Sequence, residues 1–177
     1  TIHIFYNKTL FRNYGWVIPI TWDDLFNLCN KIKAANIAPF AFPGVYMKYG
    51  DMILRAAYYN LVGPDVYRRY NLLEKGTRSN PQFKKAAEIL QRLSTQNFQK
   101  GWEGMSHTSS QLQFFQGNTA MIANGSWMVS EMESKIPEEF ELGAFNMPIY
   151  PQGIGSPNAV QAGSGYFFLF KEMEKID

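Results

Sequence analysis

The run Phe114 to Trp127, FFQGNTAMIANGSW, constrains this chain more than any other stretch. Phe114 and Phe115 close a short helical pattern that Gly117 terminates. Thr119 to Ala123 is an apolar run of strand length. Asn124-Gly125 then breaks the strand, and Ser126 is placed to N-cap a new helix with Trp127 in its first turn. A strand that stops at a glycine turn and feeds a helix is an α/β signature. In such folds ligands lie outside the carboxyl ends of the strands, where free backbone N–H groups gather. Trp127 at that point either offers a flat face to a ligand or caps the core, and the pattern leaves both open.

The flanking sequence supplies the other layers. Thr1 to Tyr6 reads as a strand, followed by a helical turn, KTLFRNYG, ended by Gly15. Thr21 opens a helix with a Thr-x-x-Asp capping box, and Trp22, Leu25, Phe26, Cys29 and Ile32 form its apolar stripe. Asn36 stops it, and Ile37 to Phe42 is a short buried strand closed by Pro43-Gly44. A second long helix is expected from Asp51 to Leu61, ended by Gly63-Pro64, with no assignment for Tyr67 to Lys75. Asn80-Pro81 starts a third helix, striped by Phe83, Ala86, Ala87, Leu90 and Leu93. Asn97 to His107 reads as a loop, after which Ser109 or Ser110 caps the helix that leads into Phe114. Beyond Trp127 the helix continues to Pro137, and Glu141 to Met147 is a strand. Pro148 to Ala162 is a long loop, a kind that is usually functional or mobile. Gly163-Ser164-Gly165 leads into a last buried strand, YFFLF. This order predicts an α/β fold with a small mixed sheet and a surplus of flanking helices. Both ends look cut, so residues 1–177 read as a single segment of a larger protein.

Charge and composition narrow the function. Seventeen basic and fifteen acidic residues are interspersed, which disfavours a nucleic-acid surface. No apolar run approaches the roughly 20 residues that span a bilayer. Cys29 is the single cysteine and falls on a helix stripe, so it reads as a buried thiol. His3 and His107 lack partners at metal-ligand spacing, and no metal or cofactor is expected. Glu131 and Glu133 are the only acids near Trp127 that suggest glycosidase chemistry. At i and i+2 on a helix they face different ways and read, with Glu138, Glu139 and Glu141, as a solvated face. What remains is a binding surface. Tyr46, Lys48, Tyr49 and Trp127 all follow strand ends, and Gly163 and Ser164 join them if the neighbouring strands run antiparallel. Aromatic faces, phenol hydroxyls, backbone N–H groups and a lysine suit a neutral polyol.

Four stretches together resemble one family. They are YNKTLFRNYG…PITWDDLFNLCNKIKAANIAPFAF, FFQGNTAMIANGSW, ELGAFNMPIYP and GSGYFF, in the family's order and spacing. The chain resembles the carbohydrate-type (family 1, maltose-binding-protein-like) extracellular solute-binding proteins of bacterial ABC importers. The resemblance implies a periplasmic-binding-protein-like type II fold, with residues 1–177 forming one lobe, mostly the C-terminal one. It implies a non-enzymatic receptor that closes on a mono- or oligosaccharide and passes it to membrane permease subunits. It also implies a monomer at the extracellular face or in the periplasm, with export and often lipid anchoring specified elsewhere. Trp127 matches the tryptophan that stacks on sugar, with Ser126 beside it. Gly163 and Ser164 match the bend that lines the cleft, and Tyr49 and Tyr46 match the aromatic after the second strand. VYMKYGD stands where many relatives carry a tryptophan, which alters that part of the site. The competing readings are a receptor for a non-sugar solute and a glycan-active enzyme using Glu131 or Glu133.

Overall fold

The computed structural model describes residues 1–162, so the expected strand at 166–170 and the bend at Gly163-Ser164 lie outside the described residues. Within them, four strands form one mixed sheet in the order β2-β3-β1-β4. The strands are β1 (Ile2–Asn7), β2 (Ala38–Ala41), β3 (Thr119–Gly125) and β4 (Leu142–Phe145). β2 and β3 run parallel, while β1 is antiparallel to both β3 and β4. A parallel pair requires a crossover, and here it is made by α3 (Lys48–Asn71), α4 (Pro81–Gln96) and α5 (His107–Phe115). The remaining helices are α1 (Lys8–Tyr14), α2 (Trp22–Ala34) and α6 (Met128–Met132).

Strand side chains alternate between two faces, and each face has its own core. Ile4, Tyr6, Phe40, Phe42, Met121 and Ala123 point toward α2, α3 and α4. Phe5, Ala41 and Ile122 point the other way, against Phe114 and Phe115 of α5 and Met128 and Met132 of α6. This is a helix–sheet–helix sandwich, as the alternation of elements predicts. Cys29 is buried at the first of these faces, and burial pushes its thiol up to about 12.

Local signals place most helix ends. Thr21 and Asp24 complete the capping box on α2, and Asn36 takes a left-handed φ of 58° just beyond it. Asn80 caps α4 by accepting the Gln82 N–H at 2.9 Å, with Pro81 in the first turn. The ends of three helices differ from expectation. α3 begins at Lys48 and runs past Gly63-Pro64 to Asn71. Gly63 breaks the helical path with φ 73° and ψ 179°, and Pro64 opens the next segment, where no N–H is needed. That segment is held because Tyr70 packs edge-on against Tyr58 and beside Phe83. The cap of α5 is Ser106, whose hydroxyl accepts the Ser109 N–H, so His107 is the first helical residue. Ser126 does not cap α6: β3 stays paired through Gly125, and the Ser126 N–H continues the ladder to the Thr1 carbonyl at 2.8 Å.

The segment after β4 contains no helix up to Ala162, yet it is tied down. Ile149 pairs with Thr21, and the buried Asn60 of α3 accepts the Tyr150 N–H at 2.7 Å. Among the described residues no helix is long and apolar enough to cross a membrane.

Candidate functional site

Because β2 and β3 are adjacent and parallel, their carboxyl ends open at the same edge of the sheet. The chain leaving β2 turns at Pro43 and enters α3, and the chain leaving β3 turns at Ser126 and enters α6. α5 precedes β3 and returns to it through Gly117, so its first residue lies at that edge too. A cleft of about 380 Å³ results, lined by Tyr46, Lys48, Tyr49, His107, Trp127 and Glu131.

Each side chain is placed by a specific local constraint. The Gln99 side chain clamps the end of β2: its amide oxygen accepts the Phe42 N–H at 2.7 Å and its amide nitrogen donates to the Phe42 carbonyl at 3.0 Å. Gly44 donates to the Trp102 carbonyl at 2.9 Å, and the turn that follows sends Tyr46 outward and Tyr49 inward. Tyr46 is 45 % exposed and Tyr49 only 2 % exposed. Trp127 is 38 % exposed, so it does not cap the core. A Cβ on Gly125 would stand 2.1 Å from its indole Cζ3, so the ring lies back over the glycine and keeps its other side free.

His107 is the centre of the site. The Tyr49 hydroxyl lies 2.6 Å from its Nδ1, and the Glu131 carboxylate 2.8 Å from its Nε2. Gln111, one helical turn on, donates to the same Glu131 oxygen at 3.0 Å. The Tyr49 ring stacks on the imidazole at 5.4 Å, and Tyr46 meets it edge-on at 6.4 Å. Lys48 Nζ stands 5.7 Å from the centre of the Tyr49 ring. Burial pushes the Tyr49 phenol up, against the Trp127 indole N–H, which comes within its reach. Burial also pushes the Glu131 carboxyl up, but bonds from Gln111 and His107 together bring it below the usual carboxylate range. Glu131 is therefore ionised at neutral pH.

The structure thus brings Tyr46, Lys48, Tyr49 and Trp127 into one cleft. Tyr49 is a floor residue whose ring and hydroxyl are both engaged, because α3 starts early enough to carry it inward. Ser126 is exposed beside Trp127 but does not line the cleft. Gly163 and Ser164 lie outside the described residues. Glu131 is solvent-exposed, as expected, but it also lines the cleft, whereas Glu133 sits on the following turn and does not. His107 and Glu131 were readable in principle. Glu131 is four residues from Trp127 and shares its helix face, and the Ser106 cap makes His107 helical.

A larger hollow, about 500 Å³, separates α3 from the segment 147–162. Its cation, Arg55, is already paired with Asp51 and bonded to Asn71 at 2.8 Å. Among the described residues no cluster of His, Cys, Asp and Glu is arranged to hold a metal ion.

The sequence signature described as bacterial extracellular solute-binding protein matches residues 1–172. The chain belongs to this family. Among its relatives is the multiple sugar-binding protein of Streptococcus mutans, 29 % identical over 98 % of the chain and 43 % of that protein. Another is the diacetylchitobiose binding protein NgcE of Streptomyces coelicolor, 24 % identical over 97 % of the chain and 37 % of that protein. The structure of the solute-binding protein RafE in complex with raffinose superimposes with a TM-score of 0.71 and 27 % identity, covering 86 % of this chain and 41 % of that one. This solute-binding chain thus spans less than half the length of these relatives. The fold expectation, a small mixed α/β sheet of solute-binding type with flanking helices, is met.

Proposed function

We infer that the chain is one lobe of a two-lobed receptor that binds a mono- or oligosaccharide for an ABC importer outside the cell membrane. The observation that carries this reading is the half-exposed Trp127 indole, held over Gly125 at the joint carboxyl edge of β2 and β3. Its free face suits the C–H face of a pyranose. Tyr46 and Lys48 stand beside it as hydrogen-bonding partners for hydroxyls, and Tyr49 forms the floor. We propose Gly163 and Ser164 as further ligand contacts, the role that the family pattern assigns to them. The cleft volume lies near the low end of small-molecule sites, about 300–1,000 Å³, which fits a site completed by a second lobe. Sugar ligands also figure in the names of the relatives.

The described cleft lining contains one carboxylate, Glu131, and glycoside hydrolysis ordinarily uses two. That supports binding without turnover. The balance of one lysine and one carboxylate in the lining supports a neutral ligand over a polyamine or a phosphate ester. The test is calorimetric titration of the full-length protein with raffinose, diacetylchitobiose and xylobiose, with each sugar recovered and analysed afterwards. Saturable binding of at least one sugar, recovered intact, is expected. Hydrolysis, or no binding across neutral oligosaccharides alongside binding of a charged solute, would overturn the reading.

A further inference from the structure

The two ring nitrogens of His107 have different partners, and this makes the site directional. A neutral imidazole has one N–H and one bare lone pair. With the proton on Nε2, the ring donates to Glu131 at 2.8 Å, and Nδ1 accepts the Tyr49 O–H at 2.6 Å. The Gln111 amide nitrogen, 3.0 Å from the same Nε2, then donates to Glu131 alone. With the proton on Nδ1, the ring would donate to the phenol instead. The bare Nε2 would then accept from the Gln111 amide nitrogen at 3.0 Å, but it would still face a carboxylate oxygen at 2.8 Å, two electron-rich atoms in repulsion. The charge on Glu131 therefore selects the first arrangement. Gln111 reinforces it by donating to the same carboxylate oxygen at 3.0 Å, which fixes the carboxylate against the ring. The phenol proton is thereby turned into the protein, toward Nδ1.

We propose that Glu131 is a positioning residue of the cleft. It fixes His107 as the Nε2–H tautomer and, through His107, fixes the direction of the Tyr49 hydroxyl beneath the ligand. The floor then turns the phenol oxygen, with its lone pair rather than its proton, toward the cleft. Such a floor suits a ligand that arrives as a hydrogen-bond donor, as a sugar hydroxyl does. This part rests on the sugar-receptor reading, whereas the tautomer does not.

The experiment is nitrogen NMR of the full-length protein with labelled histidine, together with raffinose titration, on the unaltered protein, Glu131→Ala and Glu131→Gln. The unaltered protein is expected to show His107 with its proton on Nε2. Glu131→Ala is expected to mix the tautomers and weaken raffinose binding by about tenfold or more, the scale of a charge-assisted hydrogen bond lost. In Glu131→Gln the amide oxygen can still accept from Nε2–H, so the tautomer and most of the affinity are expected to return. A proton on Nδ1 in the unaltered protein overturns the proposal. So does a Glu131→Ala variant that loses affinity while keeping the Nε2–H signature, since Glu131 would then act by direct contact. Absence of raffinose binding to the unaltered protein counts against raffinose as the ligand, and the tautomer signature still decides the role of Glu131.

Discussion

At Gly125 the missing side chain is what lets Trp127 fold back over the end of β3. Any Cβ there meets the indole at about half a normal contact distance, so the ring must leave. Gly125→Ala is therefore expected to reduce sugar affinity by about tenfold or more, approaching the loss of a central aromatic contact. Titration of the full-length variant checks it; affinity equal to the unaltered protein would show that the position of the ring over Gly125 does not matter. Trp127, Tyr46 and Lys48 were legible in the sequence because each follows a strand that ends in a turn, and strand ends gather at one edge. His107 is not reached by that rule, since its place depends on a helix cap one residue earlier, at Ser106. Read as a loop residue it had no fixed neighbour. The exposure of Glu131 is legible from the helix pattern, but its pairing with His107 is not, because that contact joins α5 to α6 across the cleft.

The element that delivers the aromatic wall is the junction of β2 and α3. Two strand ends supply this edge, and the β2 end is fastened by a side chain from the loop after α4, Gln99. Gln99→Ala leaves the buried Phe42 N–H and carbonyl without these partners. Each such group left unsatisfied costs about 1–3 kcal/mol, so a loss of about 2–6 kcal/mol is expected in chemical denaturation. A loss under about 0.5 kcal/mol, the usual scale of a surface change, would mean that the clamp is dispensable. Capping signals gave α2 and α4 correctly because they act within four residues. The continuation of α3 beyond Gly63 was not readable from local chemistry. It depends on Tyr70 meeting Tyr58 and Phe83, residues that the sequence holds well apart. The tie between Asn60 and Tyr150 is of the same kind: it makes the segment after β4 an anchored one, though its composition reads only as loop.

Across the molecule, strand alternation distributes the core between two helix layers, and the carboxyl ends of β2 and β3 open at one edge of the sheet. That edge is where the cleft lies, as in the general rule for α/β sheets. The whole-chain pattern was legible because alternating strand and helix signals specify layers without long-range information. The partners of the cleft were not, because they are assembled from α3, α5 and α6, which meet only in the folded state. The central claim is that this chain supplies a sugar-binding wall through Trp127. Tryptophan fluorescence of the full-length protein, titrated with raffinose alongside the Trp127→Ala variant, tests it most directly. A saturable change is expected in the unaltered protein, with affinity at least about tenfold weaker in the variant. Binding of equal strength in both proteins would contradict it.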